Sequence, residues 1–303
     1  TNQKINSNLN IGAIVGGVVA CTGRLDALVS STRLEYSLVE TDNVTVNIGG
    51  IIGNMTSGQA NRLISKQNLE TLKVDFKSTP ITLGQNTTLN IGGVIGKITG
   101  GSISESGFTA NIVVYLSDES YSKINAGGLV GYVNYNSTTY QISKTFASGK
   151  INIYTANETQ DSTNIGGLIG KVEDTLVISD SMTSNTITTY MYNPADYTIT
   201  SNSNYNSIGG IIGKYVTEDN DIANIAVNRT YTIANIVCNV SDAESYIGGI
   251  IGRAESTSGY DIATSISFAS AYYLAEFMID TNSIGVAMSV EQLLYNNCTV
   301  DAD

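Results

Sequence analysis

A short glycine-rich motif recurs along the whole chain, and no other feature of the sequence constrains the fold as strongly. Its fullest copy runs from Asn47 to Gly53 with the sequence NIGGIIG. The first glycines of successive copies are 35 to 43 residues apart. Periods of this size are typical of stacked repeats, in which each unit buries its apolar surface against its neighbours. Copies of the motif occupy residues 11–16, 48–53, 91–96, 126–131, 165–170, 208–213 and 247–252, and a degenerate copy occupies residues 284–288.

The repeat also sets the expected domain organisation. A chain of 303 residues would ordinarily suggest two domains, but a repeat that runs through it predicts a single array over residues 1–288. Residues 289–303 are then a cap or the start of a following segment. Ser289 and Gln292 have the spacing of a helical capping box, so we predict a short cap helix from Val290 to Leu294.

Each motif has the composition of a strand that is buried on both sides. If Ile48 to Gly53 forms one strand, its side chains alternate between two faces, and both faces carry only isoleucine and glycine. Glycine inside a strand marks a bend or a close approach of another backbone. We therefore expect isoleucine to stack on isoleucine and glycine on glycine, where a Cβ atom finds no room. The structural glycines of this prediction are Gly49, Gly50, Gly53, Gly92, Gly93, Gly96, Gly127, Gly128, Gly131, Gly166, Gly167, Gly170, Gly209, Gly210, Gly213, Gly248, Gly249 and Gly252.

Two further strand-like segments follow several of the motifs. The first is an Ile-Ser pair, and the second begins nine residues later, after turn-forming residues. Helical periodicity is absent from nearly all of the chain. The sequence therefore predicts an all-β fold, a β-solenoid or β-helix of about seven glycine-rich repeats of 35–43 residues with a short C-terminal cap helix. The Ile-Ser pairs begin at Ile64, Ile103, Ile142, Ile178 and Ile266, and the third segments begin at Ile112, Ile151 and Ile187.

The composition argues against several classes of function. The chain contains no histidine, which removes Ser-His-Asp and Cys-His nucleophiles and histidine metal sites. Its net charge of −12 argues against binding nucleic acid through a basic face. No apolar run reaches the length of a membrane-spanning helix, so we predict no membrane span in this segment. The charge is uneven, because residues 1–150 carry +2 and residues 151–303 carry −14.

Acidic residues cluster at three places where carboxylate oxygens could bind Ca²⁺. No ligand spacing repeats among them, so solvated acidic turns are the favoured interpretation. We therefore predict no catalytic residue, no metal site and no cofactor. The clusters are Glu218 with Asp219 and Asp221, Glu173 with Asp174, and Asp242 with Glu244.

The remaining candidate site residues are tyrosines for sugar stacking, asparagines for N-glycosylation and cysteines for disulfides. Clustered tyrosines could stack on sugar rings, although packing on strand surfaces is favoured. Eight Asn-x-Ser/Thr sequons permit N-glycosylation, but roughly that number arises by chance in this composition. Three cysteines, Cys21, Cys238 and Cys298, leave the disulfide state open. The clustered tyrosines are Tyr132, Tyr135, Tyr140, Tyr190, Tyr192 and Tyr197, and the candidate glycosylation sites are Asn43, Asn54, Asn86, Asn136, Asn157, Asn228, Asn239 and Asn297.

The motif resembles the GLUG motif of bacterial and protist surface proteins. The resemblance rests on GGLVG at Gly127–Gly131, GGLIG at Gly166–Gly170, and the Ile-Ser-x-Ser/Thr segments Ile103–Ser106 and Ile142–Thr145. It covers most of the chain, with Ala13 replacing the second glycine of the first copy. GLUG repeats occur in secreted and cell-surface proteins, including large adhesin-like ones. The resemblance therefore implies a passive surface or adhesive stalk, and it carries over no catalytic residue.

Taken with this resemblance, the sequence predicts a non-enzymatic extracellular structural or adhesive module of a cell-surface or filament-forming protein. The expected partners are other protein chains, including head-to-tail copies of itself, and surface glycans. Two alternatives stay open at this point. One is a carbohydrate-binding or polysaccharide-degrading β-helix protein, and the other is an intracellular scaffold.

Overall fold

A computed structural model describes residues 7–20, 22–31, 34–36, 44–66, 68–71, 87–116, 123–155, 163–192, 199–200, 206–217, 225–238, 246–256, 266–274 and 286–288. They contain strands and no helix, which confirms the all-β class. The strands are β1 Leu9–Gly12, β2 Val15–Val18, β3 Arg24–Asp26, β4 Val29–Ser30, β5 Leu34–Tyr36, β6 Thr45–Gly49, β7 Ile52–Met55, β8 Gln59–Asn61, β9 Ile64–Ser65, β10 Leu69–Thr71, β11 Thr88–Gly92, β12 Ile95–Ile98, β13 Ser102–Ser104, β14 Gly107–Leu116, β15 Lys123–Gly127, β16 Val130–Ser143, β17 Phe146–Thr155, β18 Thr163–Gly166, β19 Ile169–Ser179, β20 Met182–Tyr192, β21 Ile199–Thr200, β22 Asn206–Gly209, β23 Ile212–Thr217, β24 Ile225–Thr232, β25 Asn235–Cys238, β26 Tyr246–Gly248, β27 Ile251–Ser256, β28 Ile266–Leu274 and β29 Val286–Met288.

The first half of every glycine motif lies in one sheet, the motif sheet. Its order is β1-β6-β11-β15-β18-β22-β26, which is the order of the chain, and all its pairings are parallel. The first glycines are Cα partners of one another, so that Gly49 pairs with Gly12 on one side and Gly92 on the other. Glycine therefore stacks on glycine and isoleucine on isoleucine, and the predicted β-solenoid is confirmed.

The motif itself is two strands, not the single strand that alternation suggested. The chain turns a corner between β6 and β7, at Gly50 and Ile51. The corner backbone stacks as regularly as the strands, because the N–H groups of Ile51 and Ile52 both donate to Val94 O, each at 3.0 Å. The isoleucines of both halves are nevertheless fully buried, as expected for a strand with two apolar faces.

The remaining strands form a second, continuous sheet that carries the chain back to the next motif. Its pairings are parallel between neighbouring coils, except for the antiparallel pair of β20 and β21. The predicted stack of Ile112 on Ile151 on Ile187 is confirmed. In two long strands, β16 and β19, the chain passes from the motif corner into the next face without a break.

Two of the predicted Ile-Ser equivalences are wrong. Ile103, Ile142 and Ile178 do stack, but the residue beneath Ile103 is Ala60 rather than Ile64. Ile64 pairs instead with Gly107, at the start of the following face. Likewise Ile266 pairs with Ile225, two residues before the Ile178 column, which Phe268 occupies. The loop lengths differ between coils, so backbone register decides which residues correspond and a shared dipeptide does not.

The C-terminal predictions lie largely outside the described residues. The cap helix from Val290 to Leu294 is among these, as are the segments that close several coils, so the count of about seven complete coils stays a prediction. Within the degenerate motif, Val286–Met288 forms β29 and pairs with β28. An eighth motif strand would pair with β26 in the motif sheet. Because β29 pairs with β28 in the second sheet instead, this segment extends a different face of the solenoid.

A ladder of asparagine side chains runs along the motif sheet. Each carboxamide donates through Nδ2 to Oδ1 of the preceding coil, from Asn47 to Asn10, Asn90 to Asn47, Asn125 to Asn90 and Asn164 to Asn125, at 2.7–2.8 Å. All except Asn10 are buried. Chains of hydrogen-bonded amides of this kind satisfy buried polar groups and hold neighbouring coils in register.

Candidate functional site

The motif glycines lie where backbones approach too closely for any Cβ atom. At the first position, a Cβ on Gly49 would lie 1.8 Å from Ile52 O of the same coil. At the second, a Cβ on Gly93 would lie 2.1 Å from Gly128 O and 2.2 Å from the ring of Phe108. The third glycines meet the preceding coil, since a Cβ on Gly96 would lie 2.5 Å from Ile48 N. These eighteen glycines serve the stacking of the coils.

A second corner of the solenoid carries alternating charge. One residue of each coil adopts a positive φ there, and none of them is glycine: Ala27, Arg62, Glu105, Lys144, Asp180, Arg229 and Ser270. Their side chains pair between coils, with Arg229 Nε donating to Asp180 Oδ1 at 2.6 Å and Lys144 Nζ lying 3.6 Å from Glu105. Hydrogen bonds from Arg229 and Arg62 hold the pKa values of Asp180 and Asp26 below their usual range. These groups are exposed and paired with one another, so the corner acts in stacking.

The hydroxyl after this corner explains the Ile-Ser-x-Ser/Thr pattern. Ser106 Oγ donates to Ser104 O at 2.7 Å and accepts from Leu63 N of the preceding coil at 3.0 Å. Ser181 does the same for Ser179 O and Thr145 N. Position x is therefore the left-handed corner residue, and the hydroxyl closes the turn around it.

Partly buried polar side chains follow the third glycine of the second to seventh motifs. We call this set the polar strip. One column continues from strand to strand through β7, β12, β16, β19, β23 and β27, and a second column stands two residues further along the last four of these strands. All members are half-buried. The first column is Asn54, Lys97, Tyr132, Lys171, Lys214 and Arg253, and the polar members of the second are Asn134, Glu173 and Glu255.

Glu173 is the centre of the strip. Its carboxylate accepts from Lys171 Nζ at 2.5 Å, from Asn134 Nδ2 at 2.7 Å and from the hydroxyl of Tyr132. Burial alone would raise the pKa of Glu173, but these donors outweigh burial and hold its pKa below the usual range. The carboxylate is therefore ionised at neutral pH and already has three donors.

Lys97 is the exception in the strip. Its ammonium lies 5.2 Å from the ring centroid of Tyr132, a cation–π contact, and Lys171 lies over the same ring at 5.7 Å. Lys171, Lys214 and Arg253 each pair with a glutamate, whereas Lys97 has no hydrogen-bond or ion-pair partner in the described part of the chain. Burial lowers the pKa of Lys97, and the charge of Glu173 offsets part of this effect. On the neighbouring coil, Asn54 Oδ1 is buried without a hydrogen-bond partner.

The tyrosines predicted as sugar platforms have little free ring surface. Tyr135 is fully buried, and Tyr132 lies under two lysines. Tyr190 stacks on Tyr154 of the preceding coil with centroids 4.8 Å apart. The side chains of Tyr140 and Tyr192, and the whole of Tyr197, lie outside what the structure describes.

The other sequence-derived candidates are scattered. Among the described residues, no group of three or more carboxylates or cysteines could hold a metal ion, and Glu173 serves the polar strip. Asn54 and Asn228 lie half-buried on β7 and β24, and Asn136 lies on β16. Outside the described residues are Asn43, Asn86, Asn157, Asn239, Asn297, Glu218, Asp219, Asp221, Asp242, Glu244, Cys21 and Cys298.

Comparison with protein-family models, with curated proteins and with solved structures found no match. The GLUG resemblance therefore stays a prediction. In the described part of the chain, no helix has the length and apolar character needed to cross a membrane.

The polar strip was not predicted from the sequence. The signal was available, because each of its first-column residues directly follows the third glycine of a motif. Aligning the motifs would have placed Lys97, Tyr132, Lys171, Lys214 and Arg253 in one column. Only the structure adds that Glu173 and Glu255 pair with three of the four cations, with Lys214 and Arg253 sharing Glu255.

Proposed function

We propose that the chain is a non-enzymatic structural or adhesive module of an extracellular, cell-surface protein. The observation that carries this proposal is that the repeated residues form the contacts between neighbouring coils. From the second motif to the seventh, a Cβ atom on any motif glycine would clash and the apolar motif residues are buried, and the hydroxyls of Ser106 and Ser181 close their corners. A sequence whose repeated positions all serve stacking is expected of a module whose task is to hold a shape and present a surface. The extracellular location rests on the GLUG resemblance.

The polar strip favours ligand binding over turnover. Glycosidases pair a general acid of raised pKa with a second carboxylate. Glu173 has a lowered pKa and three donors, so it lacks the proton that a general acid needs. Glu255 is held by Lys214 at 2.6 Å and by Arg253 at 3.0 Å. A carbohydrate-binding role is therefore the second candidate, ahead of a polysaccharide-degrading one.

A reducing-sugar assay on a panel of polysaccharides, combined with a glycan array, tests this proposal. We expect no release of reducing ends from any substrate. Binding on the array without turnover would indicate an adhesive role, and no binding would leave the structural role alone. Turnover that disappears in Glu173→Gln would contradict the proposal.

We further propose that copies of the chain associate lengthwise through the β1 end. Ile14, at the corner after β1, is 47% exposed, whereas its equivalents Ile51 and Ile250 are fully buried. The backbone groups at this edge resemble those that accept a further strand elsewhere in the stack. The +2 and −14 halves of the chain make head-to-tail contact attractive and acidic-to-acidic contact repulsive.

Light scattering at low and high salt tests lengthwise association. We expect assemblies at low salt that dissociate as salt screens the charges. Ile14→Ser should reduce assembly, whereas Ile233→Ser, at a position 37% exposed on another face, should not. A monodisperse monomer of the unaltered chain at both salt concentrations would refute this part of the proposal.

A further inference from the structure

Lys97 is a half-buried cation that makes no hydrogen bond or ion pair in the described part of the chain. Burying an ammonium without a partner is unfavourable, and the lowered pKa of Lys97 reflects that cost. Glu173, whose charge acts on Lys97, already accepts hydrogen bonds from Lys171, Tyr132 and Asn134, and Lys97 makes none with it. These hydrogen bonds also hold the Tyr132 ring in place, so the ammonium of Lys97 rests on a rigid aromatic surface.

From this arrangement we propose that the polar strip binds an acidic saccharide, with Lys97 taking the carboxylate of a sugar acid. The four cations of the strip outnumber its two carboxylates, and Lys97 is the cation that pairs with neither. The proposal deepens the adhesive part of the proposed function by naming a ligand class, and it rests on that function.

The strip also provides hydrogen-bond donors and acceptors for the hydroxyl groups of such a ligand. The ammonium groups of Lys171 and Lys214 are donors for sugar hydroxyls, and the carboxylates of Glu173 and Glu255 are acceptors. These groups come from successive coils, about 4.8 Å apart along the stack. A saccharide lying along the solenoid axis would meet a new set of polar groups at each coil. A phosphate monoester carries about −1.5 to −2 at neutral pH, more than a carboxylate, and would bring that charge toward Glu173 in a chain with a net charge of −12.

The alternative is a purely internal role for Lys97. Asn54 Oδ1 stands on the neighbouring coil without a hydrogen-bond partner, and the two residues are Cα partners. If Lys97 turns toward this oxygen in solution, the ammonium is satisfied within the protein and the strip needs no ligand.

Calorimetric titration with trigalacturonate at low ionic strength tests the proposal. Lys97→Met removes the cation, Lys97→Arg keeps it, and Lys150→Met makes the same charge change at an exposed lysine of β17. We expect Lys97→Met to weaken binding about tenfold or more, and Lys150→Met to change it less than about twofold. Lys97→Arg should retain most of the affinity, and an uncharged galactose trisaccharide should not bind.

A second readout separates binding from a folding effect. In protein labelled at lysine Cε, NMR titration should show the pKa of Lys97 rise when trigalacturonate is added, because a bound carboxylate favours the ammonium form. An unchanged Lys97 pKa at saturating trigalacturonate would overturn the proposal. So would equal loss of affinity in Lys97→Met and Lys150→Met. If the array shows binding of neutral glycans alone, this inference fails and the adhesive function stands.

Discussion

Replacing Gly167 by alanine tests whether the motif glycines are required by close packing. The N–H of Gly167 donates to Gly209 O at 3.1 Å. A Cβ atom at this position would lie 2.0 Å from Gly210 O and 2.8 Å from Thr183 Oγ1, well inside van der Waals contact. The oxygen belongs to the backbone of the next coil, so it cannot move away without shifting that coil's corner.

The expected cost follows from three contributions. Overpacking of a tight interior costs about 1–3 kcal/mol. Weakening the Gly167–Gly209 backbone bond and the bond from Thr183 Oγ1 to Gly210 O, now 2.7 Å, costs about 1 kcal/mol each. Gly167→Ala should therefore lower the free energy of unfolding by about 3–5 kcal/mol.

Gly17 provides the matched control within the same fold. A Cβ on Gly17 would meet no atom closer than 3.9 Å, so Gly17→Ala should be neutral or stabilising by up to about 1 kcal/mol. Urea unfolding followed by far-ultraviolet circular dichroism measures both variants against the unaltered chain. If Gly167→Ala unfolds within about 0.5 kcal/mol of Gly17→Ala, the close-packing argument is wrong.

Three further predictions concern the ladders and the acidic groups. Asn125→Ala breaks the asparagine ladder in its buried middle and should cost about 2–4 kcal/mol in urea unfolding, whereas Asn10→Ala at the exposed end should cost less than about 1 kcal/mol. Ala27→Gly relieves a left-handed residue, φ 55°, and should raise the free energy of unfolding by a few tenths to about 1 kcal/mol; a loss of stability would show that this corner is unstrained. Because the pKa of Glu173 is lowered in the folded state, its stabilising contribution is present above the unfolded-state pKa and is lost as pH falls through the folded-state value. Acid unfolding should thus depend less steeply on pH in Glu173→Gln, and identical profiles would contradict this.

The sequence predicted the features that depend on repetition. Stacking of Gly49 on Gly92 and of Ile112 on Ile151 follows from spacing alone, because like residues in a solenoid occupy like positions. Features that depend on where the chain turns within one coil were not predicted. The corner at Gly50 has no signature that distinguishes it from a straight strand with alternating faces, since both leave only isoleucine and glycine to be buried.

The left-handed backbone conformation at the second corner could also not be predicted from the sequence. Left-handed residues are usually glycine or asparagine, yet the second corner uses Lys144 and Asp180, whose charges pair with neighbouring coils. The polar strip was missed for a related reason. Its first column mixes three lysines with tyrosine, asparagine and arginine, so no single residue type marks it, and the strand register places Tyr132 between Lys97 and Lys171.

Disulfide trapping tests the parallel, in-register stack most directly. Val113 and Asn152 are Cα partners on β14 and β17, and both point away from the buried core between fully buried neighbours. In a background with the three native cysteines changed to serine, Val113→Cys with Asn152→Cys should form a disulfide under mild oxidation, because adjacent strands lie about 4.8 Å apart. Val113→Cys with Tyr154→Cys, displaced by two residues on the same face, should remain reduced in the monomer, since diagonal neighbours are about 7–8 Å apart. Intact mass and peptide mapping distinguish the two, and equal or reversed trapping would contradict the in-register solenoid.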